Sequence, residues 1–315
     1  MTAPAALVLT AGLGTRLRPL TWIRAKPAVP VGAEPLIARI LRRLAAAGVQ
    51  EAILNLHHRP ETITAIAGDG GAFGLRVRYS WEAPVLGSAG GPRRAFSLTA
   101  ADELLLVNGD TLTDVDVSAL AAAHHASGSL VTLALGANPD PARYGGVRLD
   151  AGGAYAGTTQ RGGSPSGWHF LGVQMVRRDA FLDLEDGVAA RSLGGVYDAL
   201  AARRHGSVRG WTTEASFFDI GTPATYLAAS LALGSGVAVG RGCRIAADSE
   251  LSRTVIWDNV TIEGGTVLTE CIVADGVVVP SGSRYHRSVL LPRGEAPLAP
   301  NDRLEGDLQV TPIVD

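Results

Sequence analysis

The chain has 315 residues with 28 basic and 30 acidic side chains, a formal charge of −2 that gives no electrostatic reason for a nucleic acid or an anionic membrane as partner. Hydrophobic residues make up 46%, enough to bury a sizeable core, and the length suits one large domain plus a small one. No apolar run reaches the roughly 18 residues of a membrane helix, and Met1-Thr2-Ala3-Pro4 lacks the basic start of a secretion signal, so a soluble, cytoplasmic protein is expected. Cys243 and Cys271 are too few for a disulfide framework or a zinc site and read as small buried residues. One bias is sharper. Of the 28 basic residues only Lys26 is Lys; the rest are Arg.

Residues 5–10 read as a short buried strand running into a glycine loop. Apolar residues at helical spacing (Leu36, Ile37, Ile40, Leu41, Leu44) predict a helix over 35–47, stopped at Gly48. Strand-like runs follow at 52–56, 75–81, 104–107, 130–135 and 172–176, with helical stretches between several of them, for instance near 117–125. Such alternation predicts an α/β fold with a Rossmann-like, mixed or mostly parallel sheet. A ligand site then belongs at the carboxyl ends of the strands.

After about residue 234 the pattern changes. Apolar residues recur at Val239, Ile245, Leu251, Ile256, Ile262, Leu268, Val273, Val279 and Tyr285, in steps of 6, 6 and 5, with turn-rich segments between. That period predicts a parallel β-helix whose three-sided coils each bury one apolar residue per side. Three coils are a short stack, so it should lean on the first domain or on another subunit. The expected domains are therefore 1–233, a β-helix over 234–291, and an irregular tail over 292–315 docked by Val310 and Ile313.

The first strand leads into Leu9-Thr10-Ala11-Gly12-Leu13-Gly14-Thr15-Arg16-Leu17-Arg18-Pro19-Leu20-Thr21. Glycines let backbone N–H groups approach an anion closely, and a loop leading toward a helix favours phosphate. A Walker A loop is excluded because no Gly-Lys-Ser/Thr follows, and a dinucleotide fingerprint because Leu17 stands where a third small residue belongs.

The ordered string Gly12-x-Gly14-Thr15-Arg16-Leu17-Arg18-Pro19-Leu20-Thr21, followed by Lys26-Pro27 and Pro30-Val31, closely resembles the signature of sugar-1-phosphate nucleotidylyltransferases. The resemblance continues in Leu86-Gly87-Ser88-Ala89-Gly90, Val107-Asn108-Gly109-Asp110, Tyr144-Gly145 and Phe218-Asp219-Ile220-Gly221-Thr222-Pro223. A left-handed β-helix after the catalytic domain is similar to the mannose-1-phosphate guanylyltransferase branch. The resemblance implies nucleotide contacts at Leu9, Ala11, Gly12, Gly14, Thr15, Arg16, Glu82, Gly87, Ser88, Asn108 and Gly109. It implies sugar-phosphate contacts at Lys26, Gly145, Arg161 and Gly172, and one Mg²⁺ on Asp110 and Asp219. Arg16, Lys26 and Asp110 are the implied catalytic residues.

Such chemistry needs these residue types. A sugar 1-phosphate oxygen attacks the α-phosphate of a nucleoside triphosphate and pyrophosphate leaves, so catalysis is mostly positioning and electrostatics. The Arg16 fork suits outgoing phosphates and the compact Lys26 ammonium suits the gap between two phosphates. Carboxylates suit a hard cation. Competing readings stay open at Asp110 (a turn former or helix cap), at Asp219 (a cap for a helix near Pro223) and at Glu82 (a solvated strand-end carboxylate). The His57-His58 and His124-His125 pairs read as structural or exposed, because adjacent residues project in different directions.

Two features depart from the family. Many relatives carry Glu-Lys-Pro ahead of an Asn-Ala-Gly strand; here Thr158-Thr159-Gln160-Arg161-Gly162 precedes Phe170-Leu171-Gly172. Arg161 then replaces the Lys, and Phe170 cannot supply an Asn side chain's hydrogen bonds. Residues 45–55 and 68–79 also resemble uridylyltransferases acting on N-acetylmuramate 1-phosphate. The leading expectation is GTP plus mannose 1-phosphate giving GDP-mannose, with uridylyl or thymidylyl transfer to N-acetylmuramate 1-phosphate or glucose 1-phosphate as alternative. A non-catalytic regulatory paralogue that binds nucleotide-sugar is a reading of another class, and a hexapeptide acyltransferase using His286 is a third. The β-helix, with Val, Ile and Leu corners, is expected to be structural and to support a homo-oligomer.

Overall fold

A computed structural model describes residues 5–164, 167–234 and 236–314. Seven strands make the main sheet: β1 (Ala5–Leu9), β2 (Glu51–Leu56), β3 (Arg76–Trp81), β4 (Glu103–Asn108), β5 (Val131–Gly136), β6 (His169–Arg177) and β7 (Val208–Thr212). Their order is β7-β5-β6-β4-β1-β2-β3. All neighbours run parallel except β6, which is antiparallel to both β4 and β5. The sheet is thus mixed, as expected, and central β1 is apolar because it is covered on both faces. Helices α1 (Leu36–Ala46), α2 (Pro60–Ala67), α3 (Gly87–Ala95), α4 (Val117–Ser127), α5 (Tyr197–Arg203) and α6 (Pro223–Ala232) separate or follow the strands. Leu7, Ile53, Leu104, Leu133 and Val176, all without exposed surface, centre the sheet's core.

Contacts divide the chain into two units. The first holds the chain up to Gly12, Ile40–His58 and Ala67–Phe217; the second holds Leu13–Arg39, Arg59–Ile66 and the chain from Phe218 onward.

In the second unit the nine predicted corners fall into three parallel columns. Val239 pairs with Ile256 and Ile256 with Val273; Ile245 with Ile262 and Ile262 with Val279; Leu251 with Leu268 and Leu268 with Tyr285. This is a parallel β-helix. Its interior is dry from the second coil on: Ile256, Ile262, Leu268, Val273 and Val279 are at most 1% exposed, whereas Val239 and Ile245 of the first coil are 38% and 37% exposed. The last coil continues in Ser288–Pro292, which pairs in parallel with Ile272–Val273.

The tail is not irregular. Arg303–Glu305 and Leu308–Pro312 form a hairpin, and Leu308–Pro312 pairs antiparallel with Ser288–Pro292. The physical reason is the bare edge that the last coil would otherwise present. Leu308 and Val310 bury alternate side chains there, and Ile313 is 5% exposed. His286 is exposed at the end of Arg284–His286.

Candidate active site

Within the first unit the carboxyl ends of β1, β2 and β4 meet. The Gly109 amide donates to the Leu9 carbonyl at 3.0 Å, and a Cβ on Gly109 would stand 2.6 Å from that oxygen, so only glycine lets β4 end against β1. Asn55, at the end of β2, ties the loop after β1 in place. Its Oδ1 accepts from the Thr10 and Ala11 amides at 2.6 and 3.3 Å, and its Nδ2 donates to Glu82 Oε1 at 2.8 Å. The second Glu82 oxygen accepts from the Leu86 amide at 2.8 Å. Glu82 is only 3% exposed, so it is not a solvated strand-end carboxylate. Its direct contacts are to Asn55 and Leu86, and through them it fixes two loops to each other.

Gly87 and Ser88 open α3 rather than a free turn. The Ala89 amide donates to the Ala190 carbonyl at 3.0 Å, and Ser88 Oγ accepts from the Ser192 amide at 3.0 Å. Gly12 is exposed, and a Cβ there would meet no protein atom within 4 Å, which leaves open room beside the loop.

Asp110 follows Asn108-Gly109 and accepts from the Thr111 hydroxyl at 3.3 Å. It caps no helix; the N-cap of α4 is Asp116, which accepts from the Ala119 amide. Gly172 lies where β6 loses register with β5, between Phe170 and Gln174, and has φ +74°. A Cβ on it would come within 3.1 to 3.2 Å of Asn108 and Thr111. This bulge bends β6 at the strand ends. Phe170 packs against the apolar core, while Leu171 lines a cavity of about 710 Å³ together with Gly136, Trp168, Thr213, Glu214 and Phe217. That volume lies in the small-molecule range.

Gly145 would place a Cβ 2.6 Å from the Thr159 carbonyl and 3.9 Å from the Arg161 amide, so these two predicted residues share one hairpin base. Arg161 itself is exposed. Nearby, His169 stacks edge-on with Tyr144 and with Phe217, at 4.8 and 4.2 Å between ring centroids.

The second unit holds the rest of the signature. Gly14, with φ +59°, would place a Cβ 2.7 Å from Thr21 and 3.2 Å from Lys26, and its carbonyl accepts from the Thr21 hydroxyl at 3.1 Å. The loop does not enter an α-helix. It runs through three short 3₁₀ turns, Thr15–Leu17, Leu20–Trp22 and Lys26–Ala28, since Pro19 and Pro27 have no amide to donate to a longer run. Thr15 and Arg16 are exposed, whereas Lys26 is 6% exposed. Asp219 ends Phe217–Asp219, and the cap of α6 is Thr222, which accepts from the Thr225 amide. At Gly221 a Cβ would stand 2.8 Å from both Asp219 carboxylate oxygens, so glycine keeps room around them.

Among the described residues no group of three or more His, Cys, Asp or Glu side chains could hold a metal. Two carboxylates with substrate phosphates and water are the donor set that fits Mg²⁺. The His124-His125 pair is structural. His124 has no exposed surface and bonds Thr132 at 2.8 Å, while His125 bonds Glu103 at 2.7 Å. Sequence reasoning missed Asn55, Thr213 and Glu214. A lone amide in the apolar run Ala52-Ile53-Leu54-Asn55-Leu56, and the polar run after Trp211, were the available signals.

A strand-end glycine loop, with α3 opening at Gly87 and a turn at Asp110, defines a nucleotide-handling α/β domain. Residues 5–159 match the model of the Nucleotidyl transferase family, so the chain carries a domain of that kind. It is 29% identical over 295 residues to a mannose-1-phosphate guanylyltransferase of Mycobacterium tuberculosis, covering 84% of this chain and 82% of that one. It is 43% identical over 115 residues to an N-acetylmuramate alpha-1-phosphate uridylyltransferase of Neisseria meningitidis, covering 36% of this chain and half of the relative. The crystal structure of HddC from Yersinia pseudotuberculosis complexed with GMP-PN has the same fold, with TM-score 0.63 and 22% identity over 73% of this chain and all of that one. No described helix is long and apolar enough to cross a membrane.

Proposed function

We propose that this chain joins a nucleoside triphosphate to a sugar 1-phosphate, most specifically GTP to mannose 1-phosphate, and releases pyrophosphate. The observation that carries the specific reading is the likeness to the mycobacterial guanylyltransferase, which spans both the sheet and the β-helix. In this reading the loop from Leu9 to Thr15, with Gly87, Ser88, Asn108 and Gly109, receives the nucleotide. Arg16, exposed on its turn, clasps the outgoing phosphates through its fork. The Lys26 ammonium sits between the α-phosphate and the attacking phosphate and offsets their repulsion. Gly145, Arg161 and Gly172 face the sugar phosphate, and Thr213 and Glu214 supply the polar wall that Phe170 does not. Asp110 and Asp219 are the ligands proposed for Mg²⁺, which when bound neutralises charge on the phosphates. The two free cysteines suit a reducing cytoplasm.

One observation favours a second reading: 43% identity to the Neisseria uridylyltransferase over 115 residues. Pyrophosphate release from a matrix of GTP, UTP and dTTP against mannose, glucose and N-acetylmuramate 1-phosphates separates the two. Fastest turnover with GTP and mannose 1-phosphate is expected; a UTP preference replaces the first reading with the second. No turnover with any pair leaves a regulatory nucleotide-sugar binder. Self-association through the β-helix is proposed with it, and the mass in solution tests that.

A further inference from the structure

The β-helix does more to the signature segment than stand behind it. Positions 258 and 275 are equivalent in successive coils, 17 residues apart, and both are Asp. Each carboxylate accepts an amide of the preceding coil: Arg241 N–H to Asp258 Oδ1 at 2.7 Å and Asp258 N–H to Asp275 Oδ1 at 3.0 Å. Both also turn toward one guanidinium. Arg24 donates Nε to Asp275 Oδ2 and Nη2 to Asp275 Oδ1, each at 2.6 Å, and Nη2 to Asp258 Oδ2 at 2.8 Å. Its side chain is 14% exposed and lies 5.3 Å from the centre of the fully buried Trp257 ring. Burying an arginine costs stability unless its fork is matched, and two carboxylates of fixed register match it. Their bonds hold the Arg24 pKa above its ordinary value even though burial opposes this.

A second clamp stands beyond Lys26. The Trp257 indole donates to the Tyr226 hydroxyl at 2.9 Å, and that hydroxyl donates to the Pro30 carbonyl. Trp257 and Asp258 follow one another after the strand Thr254–Ile256, so one dipeptide holds Arg24 directly and Pro30 through Tyr226. Lys26 lies between the clamps, two residues after Arg24 and four before Pro30. The Ala25 amide is held in the same stretch by the Thr62 hydroxyl at 3.1 Å. A lysine has a long flexible stem, so where its ammonium arrives depends on how firmly its root is fixed.

We propose that the β-helix is a positioning element of the active site, in which Asp258 and Asp275 hold Arg24 and thereby fix the root of Lys26. The inference rests on the phosphate-contacting role of Lys26 proposed above. It assigns Arg24, Asp258 and Asp275 to positioning, since none of them is placed against substrate.

The test uses the full chain. The double variant Asp258→Asn/Asp275→Asn, the variant Arg24→Lys and the variant Lys26→Met are compared with the parent in steady-state kinetics and in amide hydrogen exchange over residues 20–30. Arg24→Lys keeps the charge but loses the fork. Both brace variants should lose kcat by about tenfold or more, because misplacement of a reacting group costs rate. KM for the triphosphate should stay within about threefold, and exchange over 20–30 should speed up while β1 and β4 stay protected. A purely structural role would lower the amount of folded enzyme without that kcat-against-KM split. If the double variant fails to fold, Arg24→Lys alone decides. Turnover within twofold of the parent in Arg24→Lys, with Lys26→Met inactive, overturns the brace and leaves Lys26 in its role. An active Lys26→Met removes the role of Lys26 and the brace with it.

Discussion

Lys26 is the one basic residue that did not become Arg, and its surroundings give a physical reason. It is 6% exposed, and the Gly14 turn leaves its Cβ only 3.2 Å from where a glycine side chain would begin. A broad planar guanidinium on this root would meet that packing, and in the role proposed for Lys26 it would hold the two phosphates apart. Lys26→Arg should therefore fold like the parent and lose turnover by about 10²-fold, the scale of an ångström's misplacement. Steady-state kinetics check this, and turnover within a few-fold of the parent would show that the ammonium has no special part. A different residue sets acid stability. Burial lowers the His124 pKa from 6.5 to about 4, while Glu103 opposes the shift and Arg177 and His125 add to it. The folded pKa lies below the unfolded one, so the stability is whole above about pH 6.5 and drains as pH falls toward 4. The loss is on the order of 3 kcal/mol at most. In His124→Asn the Tm near neutrality should drop, and it should fall less steeply over that window; an unchanged slope would place the acid sensitivity elsewhere. At this scale the turn at Gly14 was legible because its glycine stands in a short ordered string. Asn55 and the interior place of Glu82 were not, because their bond joins residues 27 apart.

The β-helix was legible in sequence because its physics is repetitive: each column reuses one apolar position every 17 residues, and the register keeps all nine positions in line. The repeat does not tell how well each coil is covered. Ile262 is 1% exposed and Ile245, the same corner one coil earlier, is 37% exposed. Ile262→Ala should cost about 2–5 kcal/mol through transfer and cavity terms. Ile245→Ala should cost under about 1 kcal/mol, since its side chain is already partly in water. Denaturant unfolding of the two variants checks the contrast, and equal losses would mean that the first coil is covered in solution. Two elements escaped the sequence reading for local reasons. Three glycines and Pro92 make Gly87–Ala95 look like a turn, yet Gly90 and Gly91 are needed where Val188 and Glu82 crowd the helix. The tail's four prolines hid a hairpin whose signal was only Gly306 and the alternation of Leu308 with Val310.

Composition changes near residue 234, and local pattern can mark only such changes. Contacts at separations of 234 and 251 residues, from Arg24 to Asp258 and Asp275, leave no periodic trace. They place Leu13–Arg39 with the chain from Phe218 onward, so the segment that carries Arg16 and Lys26 belongs to the same unit as the β-helix. Removing the chain after Gly234 should therefore do more than change solubility or association. Tyr226 would lose the Trp257 edge contact at 6.4 Å and its indole donor, and Arg24 would lose both carboxylates. A buried arginine and tyrosine left without these partners make the segment the weakest part of what remains. The truncated chain should be cut by trypsin after Arg16 and Arg24 while the sheet of β1–β7 resists. Its turnover should fall in parallel with the appearance of those cuts, because the same ordering serves both. Mass spectrometry of timed digests, with and without residues 235–315, reads the sites directly. A truncated chain that resists cleavage at Arg16 and Arg24 and turns over like the parent would mean that the first 234 residues order the signature segment unaided.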